Sequence, residues 1–303
     1  MTAKPLNTAQ TTRLYRRHVG SVEVTSVLDG YVELSNGVWR GIEPDAIDRA
    51  LRRRHLPTGG IRNGITSFLI NTGTALMMVD AGAAGLFGPH SSGFPANLAG
   101  SGVAPADVDA VLITHLHPDH IGALIASGAA TLPKAVLRVN AVEVDFWTSE
   151  TEQSRAPEYM RSWFDLARSV LAAYDSRVET FTAGQALGGG ISTVAQPGHT
   201  PGHAGFLLES EGQSLMFWGD LAVSAAIQFP NPAAHMLFDI DSAAGHRSRL
   251  RGFDQAAADG LLTVATHLPF PTFGYVERRD GAYEWIPEEW RYDVTGAPLQ
   301  PVM

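Results

Sequence analysis

The segment THLHPDH, residues 114–120, places three histidines and an aspartate in seven positions of a 303-residue chain that holds only 11 histidines. Imidazole nitrogens and carboxylate oxygens at this density are ligands for divalent cations. His115 and His117 extend the apolar, β-branched run VDAVLIT. Alternate residues of an extended segment face the same side, so the two rings can converge on one ion. Pro118 disfavours a helix through the motif, and Asp119 and His120 then open the helix-like stretch IGALIASGA with a different direction. Ligands pointing two ways suit two adjacent metals better than one.

More ligand types recur in a repeated context. STVAQPGH ends at His199, SLMFWGD at Asp220 and LLTVATH at His267, each an apolar strand-like run closed by a ligand residue. Strand ends are where a sheet gathers distant residues into one rigid site. The set comprises five histidines and two aspartates. His199 and His203 have the spacing of a helical metal pair, but Thr200-Pro201-Gly202 between them reads as a turn. His199 is therefore the candidate ligand, and His203 a supporting or strand-start group. His18, His55, His90, His235 and His246 lack partners at ligand spacing and are read as structural.

The elements that must carry these residues interleave along the chain. SVEVTSVLDG alternates as a strand, and SFLI and ALMMVD read as strands joined by a turn at residues 71–74. FLLE with SLMFWGD, and YVER with YEWIP, read as hairpins, the second turning at Asp280-Gly281. Helices are expected at EPDAIDRALRRR, with Pro44 in the first turn, and at residues 157–176, where Met160, Trp163, Ala167, Val170 and Tyr174 recur at helical spacing. SAAGHRSRLRGFDQAAADG reads as a helix stopped by Gly260. Helices covering sheets make the class α/β or α+β. No repeat or linker divides the chain, so we expect an N-terminal arm over residues 1–19 and a single domain over residues 20–303.

Composition narrows the function classes. With 45% apolar residues the chain can bury a large core, and its net charge of -9 argues against a nucleic-acid partner. There are no cysteines, so disulfides are excluded and any metal is held by nitrogen and oxygen. The N-terminal stretch lacks an apolar signal core, and no apolar run reaches the roughly 18 residues of a membrane helix. The expectation is a cytoplasmic protein without a membrane partner, and a homodimer is compatible with it.

HLHPDH, followed by PGHTPGH, a Gly-Asp pair and a late THLPFP, resembles the metallo-β-lactamase superfamily over roughly residues 20–290. The segments GDLAVSAAIQFPNP and THLPFPTFGYVERRDGAYEWIP are similar to the branch containing methyl parathion hydrolase and dihydrocoumarin lactonases. The resemblance implies an αββα sandwich, two mixed sheets covered by helices, with a dinuclear site at one edge. By the same resemblance, His115, His117 and His199 would hold one metal, and Asp119, His120 and His267 the other. Asp220 would bridge them, and Asp80, at the end of ALMMVD, would stand behind the ligands.

Two divalent ions so placed, with zinc expected first and manganese, cobalt or iron as alternatives, share a water and lower its pKa toward neutrality. They also polarise the oxygen of the group under attack. Asp119 and Asp220 are the candidate catalytic groups, Asp119 as a proton carrier to the leaving group. The expected reaction is hydrolysis of small uncharged aryl esters, lactones or organophosphate triesters, with Trp147, Phe229, Phe270 and Phe273 as candidate pocket aromatics. Two other readings are an acyl-homoserine-lactone lactonase with a longer acyl channel and a metal-binding scaffold without turnover. Glutathione thioesters and phosphodiesters are disfavoured by the absence of a basic cluster.

Overall fold

The computed structural model describes residues 10–296. Two seven-stranded sheets organise the chain, and in each the spatial order of strands follows their order in sequence. The first sheet comprises β1 (Leu14–Val19), β2 (Val22–Ser35), β3 (Gly60–Asn71), β4 (Leu76–Val79), β5 (Ala110–Leu112), β6 (Val136–Asn140) and β7 (Val178–Phe181). It is antiparallel from β1 to β4 and parallel from β4 to β7. The second comprises β8 (Ala186–Gly188), β9 (Ile191–Ala195), β10 (Ala204–Ser210), β11 (Gln213–Phe217), β12 (Leu262–Val264), β13 (Gly274–Arg279) and β14 (Ala282–Pro287). Its only parallel pair is β11 with β12.

The sheets pack face to face over a shared apolar core, in which the Phe68 ring of β3 meets that of Phe217 on β11 edge-on at 5.3 Å. Outer layers cover both backs. The first sheet is covered by α2 (Phe94–Gly100), α4 (Ala141–Thr148) and α6 (Glu158–Tyr174), with the short α5 (Glu150–Arg155) between the last two, and the second by α7 (Ser242–Asp259). This αββα sandwich is the expected fold. A smaller cluster joins α1 (Pro44–Arg53), through Ile47 and Leu51, to a two-stranded ribbon of residues 39–40 and 235–236.

Local chemistry explains several boundaries. The Asp241 carboxylate accepts from the Ala244 N–H to start α7, and Gly260, left-handed at φ 57°, ends it. Asp280 and Gly281 both have positive φ, as a tight hairpin turn between β13 and β14 requires. On α6, Met160, Phe164, Ala167, Val170 and Tyr174 are buried, while Trp163 sits at the edge of that stripe.

Two expectations change. The segment 121–129 is not a helix: α3 (Pro118–Ile121) is a single turn followed by a 3-10 turn, and Ile125–Ala126 then pairs with Ala129–Ala130. Ser127 and Gly128, both at positive φ, make the hairpin turn that outcompetes a weak helical pattern. The arm assigned to residues 1–19 also ends early, because Leu14–Val19 is an edge strand. Its inward positions are Tyr15, Arg17 and Val19, and the buried Arg17 hides the alternation; its guanidinium pairs with Glu288 at 2.6 Å. Residues 1–9 lie outside the described residues.

No described helix is long and apolar enough to cross a membrane.

Candidate metal centre

β4, β5, β11 and β12 point their carboxyl ends at one edge of the sandwich, and each continues into a ligand-type residue or its support. Asp80 follows β4, His115 and His117 follow β5, Asp220 follows β11 and His267 follows β12. α3 adds Asp119 and His120, and the turn after β9 adds His199. The predicted turn at residues 200–202 is present, so His199 and His203 do not form a helical pair.

The seven residues meet. One group joins His115, His117 and His199, a second joins Asp119, His120 and His267, and a third joins His115, His120 and Asp220; within each, one potential ligand atom per residue lies within 4.8 Å of the others. Asp220 sits between the two trios. Its Oδ2 is 3.3 Å from His199 Nε2 and 3.2 Å from His267 Nε2, and its Oδ1 is 3.3 Å from His120 Nε2. The nearest approach inside the first trio is 2.9 Å, from His199 Nε2 to His117 Nδ1. Nε2 of His115, Nε2 of His120 and Oδ1 of Asp220 are buried without a hydrogen-bond partner among the described residues. Buried polar atoms are seldom left in this way, and several converging on one point fit a cation as the missing partner. The donor set, imidazole and carboxylate only, suits a borderline divalent ion.

Groups behind the ligands fix their orientation. His120 Nδ1 is 2.8 Å from Asp80, whose carboxylate also accepts from the Thr114 N–H and hydroxyl at 2.9 and 2.8 Å. Asp80 adopts φ 58°, uncommon for a non-glycine residue, and these bonds hold it there. His267 Nδ1 donates to the Gly64 carbonyl at 2.7 Å, and His199 Nδ1 lies 2.8 Å from Asp239. Partners of this kind set which ring nitrogen faces the metal. His203 spans the Gln196 carbonyl and the Asp220 N–H, at 2.9 and 3.0 Å. A carbonyl only accepts and an amide only donates, so Nδ1 carries the proton and Nε2 receives. Burial, aided by His199, holds the His203 pKa at about 3 and keeps the ring neutral, as this clamp requires.

The charge states are divided. Burial, reinforced by neighbouring imidazoles, keeps His115 and His117 well below the ordinary histidine value, hence neutral and ready to ligate. Burial also works against charge on Asp220, but His267 and His120 outweigh it and hold the carboxyl well below its usual range. On His120 burial opposes charge as well, and Asp220, Asp119 and Asp80 raise its pKa all the same.

Sequence reasoning missed Asp239 and Glu143. Glu143, fully buried on α4, accepts from the Leu116 N–H at 3.0 Å, the Trp147 indole at 2.7 Å, the Thr200 hydroxyl at 2.8 Å and the Gly202 N–H at 2.9 Å. It thereby ties the His115–His117 segment to the His199 turn. Neither acid lies in a motif, and a lone carboxylate in an amphipathic stretch gives no signal by itself.

The pocket aromatics need correction. Trp147 is fully buried behind His117, its ring edge-on at 5.3 Å. Phe229 stacks on Phe253 at 4.3 Å beneath the second sheet, and Phe273 packs between the sheets against Tyr15 at 5.7 Å. These three fill cores, as large aromatics usually do. Phe270 alone of the four lines a cleft, of about 940 Å³, together with Leu34, Ile61, Val223 and Leu268. A small chamber of about 70 Å³ lies directly over the cluster, touching His117, Asp119, His199, Asp220 and His267; its other walls include Val32, Phe87, Trp163, Met236 and Phe238.

Known proteins resemble this chain to different extents. A ribonuclease of Thermus thermophilus is 31% identical over 169 residues, 49% of this chain and 34% of that protein, so the chain spans about a third of that relative's length. The crystal structure of AbOPH, described as a hydrolase in the beta-lactamase superfamily, superposes with a TM-score of 0.89 at 32% identity, covering 93% of this chain and 100% of that one. AidC, a dizinc quorum-quenching lactonase, superposes with a TM-score of 0.87 at 24% identity over 92% and 98% of the two chains, which shows the shared fold. The family model of the metallo-beta-lactamase superfamily matches residues 60–267, from the start of β3 to the last histidine of the cluster. The chain belongs to the metallo-β-lactamase superfamily.

Proposed function

We propose that the protein hydrolyses small uncharged esters and lactones that carry an apolar substituent, with His115, His117 and His199 holding one divalent ion, Asp119, His120 and His267 the other, and Asp220 shared between them. The observation that carries this reading is the chamber. Its about 70 Å³ is small beside the cleft, so it receives the reacting group rather than the whole substrate. The rest of the substrate extends into the about 940 Å³ cleft, which shares Leu34, Asn63, Val223 and His267 with the chamber. Outside the cluster the chamber wall carries no ionisable side chain other than the ligands themselves. A neutral, partly apolar substrate suits that wall.

When bound, two divalent ions supply a water-derived nucleophile at neutral pH and an electrophile for the substrate oxygen. The residues do the rest. Val32, Phe87, Trp163 and Phe238 limit competing water, and Asp119, its side chain 16% exposed, is the most accessible carboxylate of the cluster. In the overall step the water oxygen bonds to the acyl carbon and the bond to the alkoxy or aryloxy oxygen breaks. One water proton passes to that leaving oxygen by way of Asp119. Aryl leaving groups need this help least. Phosphotriesters present a tetrahedral centre with three substituents, which the small chamber admits less readily, and are expected to be slower.

A second reading, an acyl-homoserine-lactone lactonase, is favoured by the same cleft, whose volume accommodates an acyl chain. A nucleic-acid substrate is disfavoured by the net charge of -9. The test is kcat/KM on one metal-loaded preparation for an aryl acetate, dihydrocoumarin, short- and long-chain acyl-homoserine lactones, a phosphotriester and a phosphodiester. Neutral carbonyl substrates should lead. A preference for long-chain homoserine lactones promotes the second reading, and activity confined to the phosphodiester overturns both.

A further inference from the structure

Asn63 lies on β3 opposite Val32 of β2, and both residues line the chamber. It is 4% exposed, no described residue hydrogen-bonds its side chain, and its amide is not fully closed off but borders both the chamber and the cleft. Its amide offers two donor hydrogens and an acceptor oxygen, which a buried residue normally satisfies. The other buried asparagine, Asn140, does so by accepting from the Val142 N–H to cap α4. A free amide at a buried position, facing space shared with the cluster, is therefore set toward a molecule that enters that space.

The placement is rigid. Asn63 pairs across the sheet with Val32, and the next residue, Gly64, holds the His267 ring through its carbonyl at 2.7 Å. The same strand thus fixes both the amide and one of the candidate metal ligands, so the distance between them is set by adjacent backbone rather than by a loop. Asn63 also belongs to the wall that the chamber shares with the cleft. A substrate whose reacting group lies over the cluster and whose body lies in the cleft must pass it.

We propose that the Asn63 amide donates a hydrogen bond to an acyl oxygen of the substrate as it sits over the cluster, and thereby orients esters and lactones for attack. This rests on the hydrolase reading above. A fixed neutral donor aimed at an oxygen on which charge develops favours the transition state over the ground state. It discriminates as well: an acyl group supplies an acceptor in the plane of the reacting centre, and a substrate without one leaves the amide unpaired.

Asn63→Leu, Asn63→Ala and Asn63→Ser are compared with the wild-type protein after identical metal loading, with metal content, thermal midpoint, kcat and KM measured for an aryl acetate and for dihydrocoumarin. All three should retain about two ions per chain. Asn63→Leu and Asn63→Ala should lose about 10- to 100-fold in kcat/KM, carried chiefly by kcat, the size expected when one transition-state donor is removed beside others. Asn63→Ser, which restores a short donor, should recover part of the loss, an effect that a purely structural role would not produce. A folded, metal-loaded Asn63→Ala with kcat unchanged overturns the proposal, as does a loss confined to KM, whatever becomes of the leucine variant. If the wild-type protein turns over neither substrate, the parent reading fails, and the same variants on whichever substrate of the panel is active still decide the role of Asn63: an unchanged kcat there overturns it.

Discussion

The two trios that flank Asp220 are built from different materials. His115, His117 and His199 are all imidazoles, supported by the Thr114 hydroxyl, the Trp147 and Trp163 rings and the Asp239 carboxylate. Asp119, His120 and His267 include a carboxylate, with the Asp80 carboxylate and the Gly64 carbonyl behind the rings. The first trio is drawn from two distant loops stitched together by Glu143. The second combines a single helical turn with a strand end from the other sheet. One half is a nitrogen site beside aromatic walls and the other is richer in oxygen; both reach the chamber, the first through His117 and His199 and the second through Asp119 and His267. Two ions in such a cluster would not be equivalent; Asp220 faces rings of both halves, and behind them the Thr114 hydroxyl lies 3.0 Å from His115 Nδ1 and 3.4 Å from His120 Nδ1.

The largest effect should come from removing that link. Asp220→Ala is expected to lower hydrolysis by at least about 10³-fold, at or beyond the upper end for loss of a single electrostatic group, because it touches both halves. Elemental analysis should fall from about two ions to one or fewer per chain, and unchanged turnover would remove Asp220 from the mechanism. Breaking one half at a time should come next. His199→Ala and His267→Ala should each lose about one ion and roughly 10² to 10³-fold in rate, whereas His203→Ala should lower the thermal midpoint and leave occupancy mostly intact. If instead His203→Ala empties a site and His199→Ala does not, their assignments exchange.

Smaller effects probe the supports. Asp239→Asn should weaken the nitrogen half and Asp80→Asn the oxygen half, each by about 10- to 100-fold in metal affinity, which competition with a chelator measures. Asp80 serves both His120 and Thr114, so its variant should also unfold earlier; equal loss from both halves in either variant would mean that the trios are not separable. The smallest effect is one of preference. Carboxylate ligands suit manganese better than an all-imidazole set does. In a protein loaded with one equivalent of zinc and one of manganese, the manganese resonance signal should therefore disappear in His267→Ala and persist in His199→Ala. Persistence in both would show that the halves do not discriminate.

The motif-bearing half of this architecture could be read without coordinates. His115, His117, Asp119 and His120 lie within six residues, and His199, Asp220 and His267 each close an apolar run, so type and spacing together mark them as candidates. Helices with strong periodicity, α6 and α7, were equally visible. Weak periodicity failed: the segment after His120 has glycines at 122 and 128 and prefers a turn, and β1 was hidden because one of its inward positions is a paired arginine. The aromatic pocket failed for another reason. Phe229 and Phe273 are close in sequence to ligand residues, but the chain turns after each ligand and carries these rings into cores, while Trp163 and Phe238, from α6 and the segment before α7, form the chamber wall.

What the sequence by itself determined is the chemistry of the cluster, because ligand identity and the two-residue period of a strand are local properties that no packing arrangement alters. It also determined the absence of thiol ligands and the negative charge that disfavours a polyanion. The tertiary structure decided everything that depends on which distant surfaces meet. That includes the pairing of Asp239 with His199 across 40 residues, the Glu143 clamp across 57, and the exposure of one unpaired asparagine to the reacting space. Such contacts arise from the closure of two sheets at one edge, and a single carboxylate or amide in the chain has no local pattern from which that closure can be foreseen.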